Sequence, residues 1–182
     1  EVNSQFINLP INGEKGNQVL PCLDLEHLPS HTNIVFIGIH LKAKKSFSHI
    51  RKEQTETILK FLHTHYSTSK NIIIAGDFNG EPSEDFYQIL TYDKFSSAYK
   101  ILLGNGRNEP EFTTWKFRPN DEQCHTIDYI FYKSTNILQP LAYLTLPTKK
   151  EIGENGLPSE QYPSDHLALG IKFSVKSKYL DE

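Results

Sequence analysis

The apolar positions of the chain form two short runs with one long periodic segment between them. Ile34 to Leu41 is an apolar run typical of a strand that is buried on both faces. Asn71 to Ala75 is a second, β-branched run, which Gly76 ends. The segment Phe47 to Tyr66 has apolar residues at helical spacing and predicts one amphipathic helix, whose charged positions include Arg51, Lys52, Glu53, Glu56 and Lys60. Strand, helix and strand predict a crossover unit with both strand ends at one edge of a sheet, where ligands bind in open α/β sheets.

Shorter patterns predict the remaining elements. Glu1 to Leu28 contains two possible strands separated by the turn-rich NGEKGN, the pattern of a β-hairpin. Beyond Pro82 we expect two short helices, the first with a serine cap, and then three strands. The predicted ranges are Gln5 to Leu9 and Gln18 to Leu23 for the hairpin, Ser83 to Leu90 and Ser96 to Leu103 for the helices, and Phe112 to Phe117, Cys124 to Tyr132 and Leu167 to Val175 for the strands. The mixture of elements predicts an α/β fold.

Length, charge and cysteine content narrow the classes of function. A chain of 182 residues without a shift in composition predicts one domain. Its 19 Lys and Arg nearly balance 22 Asp and Glu, which argues against a bulk nucleic-acid binder but leaves room for a local basic cleft. Cys22 and Cys124 lie far apart, so we expect a reducing compartment, cytoplasmic first and nuclear or mitochondrial as alternatives. No apolar run reaches membrane-spanning length, so no membrane partner is expected.

Asp77 and Asn79 follow the second apolar run directly. If the chain stays extended through GDFN, the period of two places both side chains on one side and Phe78 on the other. A carboxylate can bind a divalent cation or accept a proton from water, and an amide can donate to charge developing on a phosphoryl or carbonyl oxygen. The alternative is a Gly-Asp turn with an Asx hydrogen bond and no chemical role.

Other polar residues occupy strand ends or strand interiors. His40 and Lys42 lie at the end of the first apolar run, which adds basic groups to the same predicted edge. Asp128 lies inside a predicted strand, where a carboxylate is costly unless it is paired or coordinating, and this favours a functional role. Asp165 and His166 enter the last strand, although an Asp-His dipeptide caps a loop about as often as it catalyses.

The only tryptophan, Trp115, has two interpretations. It packs into the core, as most single tryptophans do, or it lies beside a cleft and stacks on a base as a substrate-binding residue. Its neighbours in the fold decide between the two.

Five motifs occur in one order along the chain. They are HLKA at 40–43, GDFNGEP at 76–82, TTW at 113–115, HTIDYI at 125–130 and YPSDH at 162–166. Their order and spacing resemble the carboxy-terminal half of the endonuclease/exonuclease/phosphatase superfamily, and within it the deadenylase-like branch. The resemblance implies a four-layered α/β sandwich of two packed sheets, the DNase I-like fold, with a magnesium-dependent phosphoesterase site at one rim.

The resemblance also implies four catalytic residues. Asp77 would match the family acid that activates or positions the attacking water, and Asn79 would hold a non-bridging phosphate oxygen. Asp128 would match the acid that orients the histidine of the SDH motif, here His166, which steadies charge on the scissile phosphate.

Further residues would bind metal and substrate. The resemblance implies Asp165 as a metal-side carboxylate for Mg²⁺, which usually takes only one or two carboxylates and keeps several waters. His40 and Lys42 would contact substrate phosphate. Lys44, also a substrate-binding candidate, stands where the most similar pattern has arginine, and lysine cannot make a two-pronged phosphate contact.

One expected part of the family pattern is absent. The family's principal metal-binding glutamate belongs to its amino-terminal half, and no segment before His40 offers a matching strand and glutamate. The chain begins at Glu1, contains no methionine and shows no signal peptide. We therefore expect residues 1–182 to be the carboxy-terminal part of a single domain, with the remaining amino-terminal half as its partner.

Three hypotheses for function follow. The first is a phosphatase that removes the 2′-phosphate of NADP(H), for which one basic cluster suffices. The second is a 3′-exoribonuclease that shortens poly(A) RNA, which needs aromatic and basic groups along several nucleotides. The third is a non-catalytic interaction module.

Overall fold

A six-stranded mixed sheet forms the larger part of the fold. The computed structural model describes residues 3–66, 71–104, 109–119, 121–134 and 136–176. In chain order the elements are β1 (Asn3–Ile11), β2 (Glu14–His27), β3 (Thr32–His40), α1 (Ser48–His65), β4 (Ile72–Asp77), α2 (Asp85–Tyr92), β5 (Ser96–Ser97), α3 (Ala98–Leu102), β6 (Thr114–Arg118), β7 (Asp121–His125), β8 (Asp128–Lys133), β9 (Leu138–Tyr143), α4 (Lys149–Ile152) and β10 (Ile171–Val175). The large sheet has the strand order β1-β2-β3-β4-β8-β5.

The amino-terminal part of the chain folds as its pattern predicts. Strands β1 and β2 form an antiparallel hairpin, and β3 joins β2 in the antiparallel direction. Strands β3 and β4 pair in parallel, with α1 as the crossover between them. The predicted hairpin and the predicted crossover unit are both confirmed.

Helix α1 buries an apolar stripe together with polar residues. Ile58, Leu59 and Leu62 pack into the buried cluster that the large sheet forms with α1 and α2. Arg51, which the helical pattern grouped with the charged positions, is completely buried, and Gln54 beside it is buried as well. Their burial is compensated by hydrogen bonds, described below. None of the helices in the described ranges has the length and hydropathy needed to cross a membrane.

A second, smaller region contains two two-stranded sheets, β6-β7 and β9-β10. Its buried apolar cluster is separate from that of the large sheet and consists of Phe112, Trp115, Ile152, Leu157 and Leu167. Strand β9 and helix α4 in this region were not predicted. Leu141 and Leu144 on and after β9 are 56% and 52% exposed, so this region presents apolar side chains to the surface.

Several predicted boundaries were wrong in this half of the chain. The single strand predicted from Cys124 to Tyr132 is two strands in different sheets, because the backbone at Ile127 leaves the ladder and accepts a hydrogen bond from Phe78 N–H at 2.8 Å. The last strand begins at Ile171, since Leu167 N–H instead donates to the Thr113 carbonyl at 2.8 Å. Helix α2 begins after Glu84 without a side-chain cap, so the predicted serine cap is also wrong.

Candidate active site

The ends of three neighbouring strands carry polar side chains at one edge of the large sheet. His40 ends β3 and Asp77 ends β4, and the two residues are partners in the parallel register. Asp128 begins β8, which runs antiparallel to β4, so Asp128 is the partner of Asp77 on its other side. The predicted meeting of polar strand ends is confirmed, and it includes a third strand.

Asp77 and Asn79 form a closed turn at this edge. The Asp77 carboxylate accepts from Asn79 N–H at 2.7 Å and from Asn79 Nδ2 at 3.1 Å. The backbone is not extended through the motif, since Asn79 has φ of 53° in the left-handed region. Phe78 points away into the core, where it is fully buried. The Asx hydrogen bond of the simpler interpretation is therefore present, and it holds both polar side chains together at the strand end.

Asp128 joins the smaller region to the large sheet. Its two carboxylate oxygens lie 3.1 and 2.9 Å from His166 Nδ1, and Oδ2 also accepts from Thr113 Oγ1 at 2.7 Å. The Thr113 hydroxyl itself accepts from the N–H groups of Ile127 and Asp128, so its own proton is directed at the carboxylate. The sequence did not assign Thr113 a role, although the TTW motif contains it.

Burial and neighbouring charges change the pKa of Asp77 and of His166. Burial and the charge of Asp128 raise the pKa of Asp77, and the Asn79 backbone N–H, His166 and His40 oppose that rise. The hydrogen bond to Asp128 raises the pKa of His166, although partial burial opposes it. The site therefore contains a more basic carboxylate than usual beside a histidine whose protonated form is favoured.

The segment after β3 carries the candidate substrate-binding residues. His40 Nε2 lies 3.7 Å from Asp77 Oδ2, which places the imidazole at the edge of the site. Lys42 is half-buried, with Nζ 5.2 Å from the centre of the Phe47 ring, and Lys44 is exposed. Basic groups thus follow directly in the chain from the edge that holds Asp77.

The geometry agrees with a comparison of the chain with known protein families. The model of the endonuclease/exonuclease/phosphatase family matches residues 44–166. This range contains Asp77 with Asn79 and Asp128 with His166. The chain belongs to this family. The DNase I-like fold that the resemblance implies is confirmed by the solved structures of related proteins.

Individual members of the family are similar over nearly the whole chain. Nocturnin from Xenopus laevis is 40% identical over 176 residues, which are 95% of this chain and 45% of the frog protein. A probable CCR4-Not complex 3′-5′-exoribonuclease subunit Ccr4 from Enterocytozoon bieneusi (strain H348) is 29% identical over 81% of this chain and 34% of that protein. The human nocturnin catalytic domain with a bound sulfate anion superposes with a TM-score of 0.79 and 34% identity, over 96% of this chain and 59% of that domain. The chain spans less than half the length of frog nocturnin.

Enzymes of the endonuclease/exonuclease/phosphatase family depend on a divalent metal, and the described residues offer a candidate site. Asp77, Asp128 and His166 each present one ligand atom, and these atoms lie within 4.8 Å of one another. Carboxylate oxygens suit hard divalent cations. Because Asp128 already binds His166 and Thr113, Asp77 is the carboxylate with more capacity for a cation, whose charge would also favour its ionised form. The donor set fits such a cation.

Two predicted site residues lie apart from this group. The Asp165 carboxylate is half-buried and pairs with Lys116 Nζ at 2.9 Å, which lowers its pKa. Trp115 is only 5% exposed and packs in the smaller apolar cluster, with its indole N–H donating to Glu122 at 2.7 Å. The surroundings of Trp115 correspond to the core interpretation, and its position gives no support to stacking on a base.

Proposed function

We propose that this chain supplies the catalytic groups of a nocturnin-like phosphoesterase that uses Mg²⁺ to remove the 2′-phosphate of NADP(H). The observation that carries the proposal is the convergence of Asp77, Asp128 and His166 at one edge of the sheet, with Asn79 bound to Asp77. The similarity to nocturnin over 95% of the chain supports the same class of activity.

Asp77 acts as the proton acceptor for the attacking water. Hydrolysis of a phosphoester needs an aligned water, a base, and positive charge around the phosphoryl oxygens. The Asp77 carboxylate lies beside Asn79 and His166 at the strand end, where it can accept that proton. Asn79 orients this carboxylate, and its other amide contact is to the Leu41 carbonyl at 3.0 Å. One of these two bonds must exchange before Asn79 donates to a phosphoryl oxygen.

His166 supplies positive charge on the other side of the phosphate. Its Nδ1 is occupied by Asp128, which leaves Nε2 as the nitrogen for substrate. Because the pKa of His166 is raised, its protonated form can donate from Nε2 to a phosphoryl oxygen. Bound Mg²⁺ would be held by Asp77 and would supply further positive charge to the phosphoryl oxygens. For Asp165 to join it as a second carboxylate, the ion pair between Asp165 and Lys116 would have to open.

Substrate recognition uses basic groups on both sides of this edge. NADP(H) has a diphosphate as well as the 2′-phosphate, so it requires positive charge in more than one place. Lys42 and Lys44 provide it after β3, and His40 at the end of β3 adds a group that can hydrogen-bond to phosphate. A cleft of about 520 Å³ beside Asp165 provides it on the other side, through Lys116 and Arg118.

A second candidate function is 3′-exonucleolytic shortening of poly(A). The similarity to the Ccr4-type protein, whose name is that of an exoribonuclease, favours it. Phe117, which is exposed and lines the same cleft as Arg118, offers a surface on which a base can stack. The chemistry at Asp77 and His166 would be unchanged, and the substrate groove would be longer.

We also propose that the chain is the carboxy-terminal part of the family's catalytic domain and that a glutamate outside it completes the metal site. Its match to 59% of the human nocturnin domain and the exposed Leu141 and Leu144 support this proposal. A lone fragment with an uncovered apolar surface is expected to aggregate or to melt with poor cooperativity. A sharp, reversible, monomeric two-state melt of residues 1–182 would count against it.

The test of function compares two substrates in the full-length protein. Release of inorganic phosphate from NADPH is measured with Mg²⁺ and after chelation, beside shortening of an oligo(A) in the same salt, because polyanion binding depends steeply on ionic strength. We expect cation-dependent phosphate release that His166→Ala abolishes. Efficient oligo(A) shortening with no phosphate from NADPH would establish the exoribonuclease instead. If the protein shows neither activity, the interaction module is favoured.

A further inference from the structure

Arg51 is a completely buried arginine whose donors are divided between two loops. Nε and one terminal nitrogen form a fork with the two Glu84 oxygens, both at 2.8 Å. The other terminal nitrogen donates to the carbonyls of Lys42 at 2.8 Å and Lys44 at 2.9 Å. The guanidinium thus connects α1 to the segment that carries Lys42 and Lys44, here called the substrate-binding segment, and to the segment that follows the Asp77 turn.

The backbone of the segment from Leu41 to Lys44 is held at several polar atoms. Lys42 N–H donates to the buried Gln54 at 2.9 Å, and Leu41 N–H donates to the Asp77 carbonyl at 2.9 Å. Lys44 has φ of 79°, a value that is unfavourable for a residue with a side chain and persists only where the surroundings enforce it. The two carbonyl contacts of Arg51 flank this strained position. They are therefore well placed to enforce it.

The other end of the ion pair is built into the loop of the catalytic aspartate. A Cβ added at Gly80 would lie 2.8 Å from Glu84 Oε2 and 2.9 Å from Arg51 Nε, so only glycine leaves room for the pair there. Gly80 directly follows Asn79, whose amide contacts Asp77 and the Leu41 carbonyl. The buried guanidinium accordingly lies between the segment of Lys42 and the loop of Asp77, in addition to the direct hydrogen bonds of Leu41 to Asp77 and Asn79.

A role in stability alone explains this arrangement poorly. Replacing a buried ion pair by apolar residues of similar volume is often neutral or stabilising, so the pair is not needed to fill the core. What an apolar pair cannot do is donate to two specified carbonyl oxygens, which the third nitrogen of the guanidinium does while the other two form the fork with Glu84.

We propose that Arg51 and Glu84 are positioning residues for substrate phosphate, which hold Lys42 and Lys44 in register with the Asp77 turn. The inference rests on the proposed function, in which these lysines bind phosphate groups of the substrate. It predicts that loss of the pair weakens binding of a substrate with several phosphates and leaves hydrolysis of a simple phosphoester almost unchanged.

The test uses the double variant Arg51→Met/Glu84→Gln in the full-length protein. Removing both charges avoids a stranded buried charge, so this variant is expected to fold where a single substitution would not. Arg51→Lys is the second variant, since lysine keeps the charge but lacks the fork. The control is Lys52→Met/Asp85→Asn, an exposed pair at 3.2 Å whose two residues directly follow Arg51 and Glu84 in the chain.

We expect the double variant to raise KM for NADPH by about tenfold, with kcat and the hydrolysis of a simple phosphoester changed less than about twofold. Arg51→Lys should give an intermediate rise in KM, and the control none. In the double variant, Lys42→Ala should then lower kcat/KM for NADPH by a smaller factor than it does in the unsubstituted protein, because the two changes remove the same interaction. Additive effects, or equal losses with both substrates, would overturn the inference.

Hydrogen exchange separates this inference from the proposed function. The Lys42 amide should exchange faster in the double variant than in the control, and unchanged exchange would overturn the positioning role alone. If the unsubstituted protein releases no phosphate from NADPH, the proposed function fails, and the substrate side of the inference fails with it.

Discussion

The large sheet and the smaller region hold their functional groups in different ways. Asp77 is fixed by strand register on both sides, above a cluster of twenty buried side chains. His166 lies in a loop before β10, beside a cluster of five. It is held by backbone pairing with Thr114, by the Ser164 hydroxyl, which accepts from its N–H at 3.1 Å, and by Asp128. One side of the site is therefore positioned mainly by strand pairing and the other by a few polar contacts. Substitutions on the Asp77 side should therefore affect the chemical step, and substitutions on the His166 side should affect how the side chains are positioned.

The largest effect is expected at Asp77. Asp77→Asn removes the proposed base without changing shape and should lower turnover of NADPH by about a hundredfold or more, since such groups act mainly in the transition state. The melting temperature should change little. Asp93→Asn, which alters the carboxylate bound to Lys133 at the opposite end of β8, is the matched control and should retain full activity. A stable Asp77→Asn protein with normal turnover would exclude Asp77 as the base.

Lys42→Ala is expected to have the next largest effect. It removes a positive charge from the substrate-binding segment and should lower kcat/KM for NADPH by about tenfold or more, with a much smaller effect on a simple phosphoester. Lys60→Ala on the exposed face of α1 controls for net charge. Equal losses with both substrates would assign Lys42 to stability or to the chemical step.

Thr113→Val tests the polar contacts on the second side. The change keeps the shape but removes the donor to Asp128 and leaves the Ile127 and Asp128 N–H groups without their acceptor, which should cost about 1–3 kcal/mol of stability. Turnover at a temperature where the variant is folded should fall by about three- to tenfold, because Asp128 then orients His166 less well. Thr113→Ser retains the hydroxyl, so its stability and its turnover should both stay close to those of the unsubstituted protein. Failure of serine to do so would show that packing, and not the hydroxyl, is what matters at this position.

The smallest effect is expected for Lys44→Arg. Arginine offers a two-pronged contact to phosphate, so turnover of NADPH should improve or stay the same. The measurement compares KM for NADPH in Lys44→Arg with KM in the unsubstituted protein. A marked loss would mean that the guanidinium does not fit where the Lys44 ammonium is proposed to bind phosphate.

The first half of the fold was predictable because its signals are local. Buried strands such as Ile34 to Leu41 are marked by uninterrupted apolar runs, and α1 by its period. The burial of Arg51 was not predictable from that period, because its partner Glu84 lies 33 residues away. In the second half, the alternation from Cys124 to Tyr132 continues through the point where the chain changes sheets, and β9 contains Pro140 and no clear alternation.

The site was only partly predictable for the same reason. Periodicity placed Asp77 and His40 at one edge, since parallel strands joined by a helix must end together. The contact between Asp128 and His166 spans 38 residues, and no local pattern requires it. It was expected only through the resemblance to the family. Thr113 was missed because a buried threonine in a short apolar segment gives no signal of its hydrogen-bond partner.

The central claim is that groups from both regions act as one phosphoesterase site, and the most direct measurement is a double-mutant cycle on turnover of NADPH. Asp128→Asn, His166→Ala and the double variant are compared with the unsubstituted full-length protein under saturating Mg²⁺. Because Asp128 acts through His166, the double variant should be about as slow as His166→Ala alone, so that the two losses are far from additive. If the losses of the two single variants simply multiply, Asp128 and His166 do not work as a pair and the account is wrong.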